Sequence, residues 1–206
     1  REQDDLLPAC DRRFRQAGRS IKDIDTIAVD VGPGGFTGLR VAVTAAATLG
    51  EVTGAKLIAV PATRVAAAAG DGRAPVVVAL ASKRSSAYTE VFNVDASSDP
   101  STGSPAPGAQ ASGAQVLEAE ALGAFAESRG LGAGTRLIAD DFLPEAWRAQ
   151  CTLMGWIIEP MKLSAEGLLA AVARGSGREV ADAAALAPIY GREPEAVSLW
   201  RARHGA

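Results

Sequence analysis

Apolar positions recur along this chain with two different periods, and the alternation between them predicts a layered α/β protein. Leu7, Cys10, Phe14 and Ala17 are spaced as one face of an amphipathic helix over residues 2–17, which Gly18 ends. Asp25–Val31 is a short β-rich run that stops abruptly at Gly32-Pro33. A second helix is predicted from Thr37, as its N-cap, to about Val52. A strand at Lys56–Val60 follows, and Pro61 opens an alanine-rich helix that runs to Ala69. Past Gly70-Asp71-Gly72, Pro75–Ala81 is a continuous apolar run, the pattern of a strand covered on both faces. Tyr88, Glu90, Phe92 and Val94 belong to a strand expected to pair with it.

The pattern then breaks. From Asp95 to Gln115 large apolar residues almost vanish among Ser, Pro, Gly and Ala, and such a tract buries too little to offset its ordering entropy. It predicts a flexible insertion over 95–115. Helices are expected at Val116–Ser128, Leu143–Gln150 and Leu163–Ala173, with strands at Arg136–Ala139 and Leu153–Ile158. The tail Ala187–Arg192 reads as extended before a last helix from about Pro194 to Arg203. The glycines at 70 and 72 mark a division into a lobe of residues 1–72 and a second of residues 73–206.

Charge narrows the functions available. The 206 residues hold 21 Lys+Arg against 24 Asp+Glu, a net charge of -3, so unaided gripping of a phosphate backbone is disfavoured. No stretch reaches the roughly 18 apolar residues of a membrane span. The two cysteines, Cys10 and Cys151, are isolated and read as small buried hydrophobes of a reducing compartment, which points to the cytoplasm.

Catalytic constellations are missing from the residue list. A single histidine, His204, stands three residues from the end, so neither a zinc site nor a Ser-His-Asp or Cys-His nucleophile is expected. The nucleophile elbow Gly-x-Ser-x-Gly does not occur. No catalytic residue, metal or cofactor is therefore assigned. Asp30 and the pair Asp140-Asp141 follow strands, where α/β folds place ligands and where turns also need capping carboxylates.

Gly32-Pro33-Gly34-Gly35-Phe36-Thr37-Gly38 packs four glycines into seven positions before a helix. Backbone N–H groups there are positioned to cradle a phosphate. The spacing lacks the lysine of a P-loop, Thr37 stands where a dinucleotide motif needs its third glycine, and Arg40 is the nearest cation. A structural turn and a phosphate cradle both remain open. The helix behind the turn is apolar or small nearly all round. Leu39, Val43, Ala46 and Gly50 form one stripe and Ala42, Ala45, Leu49 and Val52 another. Either it is buried within its own lobe, or one stripe docks another subunit.

Asp30-Val-Gly-Pro-Gly-Gly-Phe-Thr-Gly-Leu-Arg40 resembles the GPGSFTGLR signature of the TsaB family, glycoprotease-like subunits of the machinery that makes threonylcarbamoyladenosine in tRNA. Leu6-Leu7-Pro8 resembles that family's LLP helix, and Ala187-Pro-Ile-Tyr-Gly-Arg-Glu-Pro-Glu-Ala196 its P-x-Y-x-R-x-x-x-A tail. The resemblance implies an actin-like (ribonuclease H-like), two-lobed α/β fold. It also implies a non-catalytic scaffold that pairs with a TsaD-type catalytic paralogue, meets a TsaE-type ATPase, and reaches tRNA only through the complex. Pairing in that family uses the first two helices, here residues 4–17 and 38–52. The implied interface is thus Leu6, Leu7, Cys10, Leu39, Val43, Ala46 and Gly50, a face through which the chain would form a homodimer when alone. The turn residues Asp30, Gly32, Pro33, Gly34, Gly35, Thr37, Gly38 and Arg40 are left with at most a weak nucleotide contact. The competing expectation is an actin-like ATPase or phosphotransferase that uses Asp30 and the turn Gly32–Gly38.

Some positions depart from the family pattern. Gly35 replaces the usual serine, Ala46-Ala47-Thr48-Leu49 stands for A-K-G-L, and Ala81-Ser82-Lys83-Arg84 for D-A-R-R. Family members begin with a β-hairpin bearing a D-T-S-T-like turn, and nothing precedes Arg1, so the first lobe is expected to be incomplete at its N-terminus.

Overall fold

The computed structural model describes residues 6–70, 75–93, 110–191, 200–201 and 203–204. In chain order the first elements are α1 (Leu6–Gln16), β1 (Thr26–Asp30), α2 (Phe36–Thr53), β2 (Lys56–Val60) and α3 (Ala62–Ala69). Then come β3 (Val76–Ala81), β4 (Ser86–Asn93), β5 (Gln110–Glu118), α4 (Leu122–Ser128), β6 (Arg136–Ala139) and α5 (Glu145–Leu153). The last are β7 (Ile157–Pro160), α6 (Ala165–Ala173) and β8 (Arg178–Val180).

Strands β1 and β2 pair in parallel, Asp30 opposite Val60, and α2 is the crossover that a parallel pair requires. The odd positions Val29 and Val31 join Leu57 and Ala59 against Val43 and Ala46 of α2. The opposite face of this sheet, through Val60 and Ile58, packs on Val65 and Ala68 of α3 and on Ala171 of α6. Helix α3 in turn meets a second sheet: Ala62 and Ala66 sit among Val76, Val78, Phe92 and Ile138. The far face of that sheet, through Val77, Ala79, Val91 and Leu137, carries α4 and α5 with Leu122, Phe125 and the fully buried Trp147. The layers thus run helix, sheet, helix pair, sheet, helix pair. The second sheet has the order β5-β4-β3-β6-β7, with β4 antiparallel to β3 and β6 parallel to it.

Strands β2 and β6 run over the predicted residues, and α1, β1 and α3 lie within theirs. Gly18 has φ +65, and Arg19 N–H reaches back to the Phe14 carbonyl at 2.9 Å, closing α1 in the left-handed way glycine allows.

Other elements correct the sequence reading. Thr37 is not the N-cap of α2: the helix starts at Phe36, and Gly35 precedes it with no side-chain cap. Gln110–Gln115 is strand, not insertion, because β5 draws its ladder from the main chain of β4 and so needs few apolar side chains at a sheet edge. Val116–Glu118 completes that strand, which leaves the helix predicted from Val116 to begin only at Leu122. Likewise Leu153 closes α5, and β7 waits until Ile157, after a turn at Gly155 with φ +68. The three-residue strand β8 was not foreseen. It returns the chain to the first sheet, antiparallel to β2, so residues beyond 73 contribute to both sheets. The rest of the predicted insertion, the residues around Gly72 and most of the last predicted helix lie outside the described residues.

Candidate functional site

Strand β1 ends at Asp30, whose Oδ1 accepts the Gly32 N–H at 2.7 Å. Gly32 has φ +95, and a Cβ there would lie 2.7 Å from Leu39 Cδ1 and 2.8 Å from the Ile189 carbonyl oxygen. Only glycine fits. A Cβ at Gly35 or Gly38, by contrast, would meet nothing, and one at Gly34 only ordinary contacts with Leu39. The Gly32–Pro33 peptide is cis. The Gly32 carbonyl accepts from Ala62 N–H at 2.8 Å, at the first turn of α3.

The C-terminal tail completes this knot. Ile189 N–H donates to the Val31 carbonyl at 2.6 Å, and Gly191 packs so closely that a Cβ would sit 3.2 Å from Pro33 Cβ. Arg40 Nε donates to the Tyr190 hydroxyl at 3.2 Å, and its guanidinium lies 3.7 Å from the centre of the Phe36 ring. The two segments most distinctive in the sequence, the turn and the tail, are one structural unit. Nothing in either segment alone signalled that contact.

This arrangement favours the structural reading of the turn over a phosphate cradle. The first amide of the turn already serves Asp30, and an anion at that place would repel a phosphate. Burial pushes the Asp30 carboxyl above its ordinary value, while the Gly32 N–H pulls the other way. A carboxyl raised in the folded state stabilises the fold when protonated, and that contribution is lost as pH rises through the folded pKa. Asp30→Asn keeps an acceptor for Gly32 without the buried charge. It is expected to be more stable than the parent at neutral pH, with the advantage vanishing as pH falls below the ordinary carboxylate range. Thermal midpoints at pH 4 and 7.5 check this; an advantage that grows on acidification would refute it.

The stripe Leu39, Val43, Ala46 and Gly50, expected to face a partner, is turned inward instead. All four are buried, and a Cβ at Gly50 would stand 2.9 Å from Leu57 Cδ2. A crossover helix must cover its own sheet, and its bulkiest stripe goes there. The outward face is Arg40, Val41, Thr44, Ala45 and Thr48, and with Leu6, Leu7 and Pro8 of α1 it lines a groove of about 500 Å³. Leu6, Leu7 and Val41 are 41%, 47% and 51% exposed, and α1 buries none of its residues. Cys10 is half-buried. Two helices here present a largely apolar surface that nothing among the described residues covers.

Other polar groups are engaged internally. Asp140 takes Ala81 N–H at 2.9 Å and Phe142 N–H at 3.1 Å, a turn-capping role, while Asp141 is exposed. Buried Glu90 accepts from Thr63 Oγ1 and lies 3.5 Å from Arg64 Nε, and Arg64 Nη1 reaches the Ser176 carbonyl at 3.1 Å. This cluster ties α3 to β4 and to the turn after α6. The sequence held its signal, a glutamate in register with Tyr88 and Phe92 on an apolar strand face, without showing its partner. The Cys151 thiol is buried and pushed up to about 11, chiefly by desolvation, so it is unreactive. His204 stacks on Trp200 at 4.8 Å and its Nδ1 lies 2.8 Å from the Trp200 carbonyl. Among the described residues no group of three or more His, Cys, Asp or Glu is placed to hold a metal, and no helix is long and apolar enough to cross a membrane.

The sequence matches the family profile described as TsaD: tRNA N6-adenosine threonylcarbamoyltransferase over residues 2–174. No curated protein matches it. Among solved structures, one similar chain is described as an uncharacterized protein with similarity to peptidase YEAZ from Pseudomonas aeruginosa. It superposes with a TM-score of 0.65 at 21% identity, over 93% of this chain and 85% of that one. A second, YeaZ from Pseudomonas aeruginosa, gives 0.62 at 21%, covering 90% and 83%. The likeness shows a shared actin-like fold, in agreement with the two-sheet layering.

Proposed function

This chain belongs to the family described as TsaD: tRNA N6-adenosine threonylcarbamoyltransferase, and from that premise we propose that it is a TsaB-like, non-catalytic subunit that supports a TsaD-type catalytic paralogue in tRNA modification. The observation that carries the reading is the uncovered apolar groove between α1 and the outer face of α2. Uncovered apolar surface on two adjacent helices is the form a helix-packing interface takes before its partner arrives. The single histidine of the sequence supports the non-catalytic half of the proposal, since the paired histidines of a metal-dependent paralogue cannot be assembled from it. A TsaE-type ATPase and tRNA join, in this reading, through the complex.

The inward turn of Ala46 changes how the interface is tested. A glutamate at that buried position would attack the chain's own core rather than the contact. Val41 is the better probe, because it is half exposed in the isolated chain. Val41→Glu is expected to leave the melting curve unchanged and to weaken binding to the TsaD-type subunit by about 100-fold, from burial of an unpaired charge in the contact. Threonylcarbamoyladenosine formation by the reconstituted proteins should fall in parallel at limiting concentration. Undiminished binding of Val41→Glu, or no binding by the parent chain, would overturn the assignment.

A further inference from the structure

The groove between α1 and α2 is largely apolar, with Leu6, Leu7, Pro8, Val41 and Ala45 beside Thr44 and Thr48, and among the described residues Arg40 is its one cation. Arg40 is held there from two sides. Its Nε donates to the Tyr190 hydroxyl and its plane lies over Phe36, whose ring is 5.6 Å from that of Tyr190. These contacts fix the guanidinium while leaving both terminal nitrogens, and among the described residues no carboxylate pairs with it. Five N–H donors in a rigid fork, one of them used for orientation, suit a carboxylate arriving along the groove.

The charges around the groove say which occupant fits. The two helices together carry four arginines, Arg12, Arg13, Arg15 and Arg40, against two acids, Asp11 and Glu51. Asp11 is already paired with Arg15 at 2.9 Å. Of these charges only Arg40 lines the groove, so among the described residues its lining carries one positive charge and no negative one. A second copy docked groove to groove about a two-fold axis would bring a second Arg40 and no lining carboxylate to pair with the first. An RNA backbone would find one arginine but would otherwise lie against mostly aliphatic walls, with only the hydroxyls of Thr44 and Thr48 to meet it.

We propose that Arg40, oriented by Tyr190 and Phe36, is the specificity-determining cation of this groove, and that its occupant is an apolar helix of a different subunit bearing a carboxylate that pairs with Arg40. The proposal rests on the docking function above and adds the chemistry of the partner's helix and the residue that sets its register. Tyr190 acts as a positioning residue, so the C-terminal tail shapes the interface without entering it.

The test measures affinity for the TsaD-type subunit by calorimetry at low and high salt, with melting curves as a control. Arg40→Met keeps an apolar stem over Phe36 and should bind about 30-fold more weakly, with a flatter dependence on salt. Tyr190→Phe should weaken binding a few-fold and keep the parental salt dependence. If Arg40→Met binds as tightly as the parent, with the same salt dependence, while Val41→Glu does not bind, the role of Arg40 fails and the docking function survives. If the parent chain does not bind the TsaD-type subunit at all, the docking function itself fails. Should Arg40→Met instead dissolve a homodimer and leave hetero-association intact, the choice of a different subunit as occupant is overturned. The same holds if the parent binds RNA through Arg40 in place of the protein.

Discussion

Gly32→Val is expected to lower stability by about 3 kcal/mol or more, roughly 10 °C in melting temperature for a chain of this size. Two effects combine. The φ of +95 at this position is strained for any residue with a Cβ, and worst for a β-branched one. The added atoms also collide with Leu39, which anchors α2 to its sheet, and with the Ile189 carbonyl of the tail. Neither neighbour moves freely, since Leu39 is buried and Ile189 N–H is bonded to Val31. Binding to the proposed partner should fall with stability, because the turn aims the helix that carries Arg40 and Val41. Gly35→Ala is the control: at φ -61, with open space around its Cβ, it should change the melting temperature little. Equal effects from the two substitutions would show that the turn is not sterically determined at Gly32.

Glu90→Ala has the second largest expected effect, a loss of about 2–3 kcal/mol, read from urea midpoints. Thr63 is fully buried, and its hydroxyl loses its acceptor when the carboxylate goes. The Arg64 side chain is 37% exposed, so water screens the ion pair and it adds little to that figure. A double replacement, Thr63→Val with Glu90→Leu, should recover most of the loss, since a satisfied polar pair and an apolar pair of similar volume differ far less than either does from an orphaned group. The same carboxylate leaves a spectroscopic trace. Burial first, and Glu90 second, raise the Tyr88 phenol above its ordinary value, with Arg64 opposing. Glu90→Gln should therefore lower the Tyr88 titration part of the way, visible against the only other tyrosine, Tyr190. A Tyr88 titration unmoved in Glu90→Gln would mean that the two groups do not interact.

Much of the fold could be read from local pattern because local pattern is what strands and helices answer to. Lys56–Val60 and Arg136–Ala139 are apolar runs between breakers, and each became a strand over the predicted residues. Gln110–Gln115 could not be read in this way. Its one serine, one glycine and two alanines offer little apolar surface, and it is a strand only because β4 offers an unpaired edge. The three residues of β8 are too short to show a period at all. The proposed docking face suffered a different ambiguity. A helix that is apolar or small nearly all round gives no sign of which side its own sheet will take, and the stripe with Leu39 and Val43 won that place because a parallel crossover must bury its bulkiest residues against β1 and β2.

By itself the sequence determined the α/β alternation, the glycine-rich turn before an unusually apolar helix, and the absence of histidine chemistry, since each of these depends on residue type and spacing alone. The tertiary structure decided the rest. It made Gly32 the one glycine of the turn that no other residue can replace, because the obstructing atoms belong to Leu39 and to a tail more than a hundred residues away. It joined Arg40 to Tyr190 and turned Arg40, Val41 and Ala45 rather than Ala46 outward, because the side of a helix that faces water is fixed by what packs on the other side.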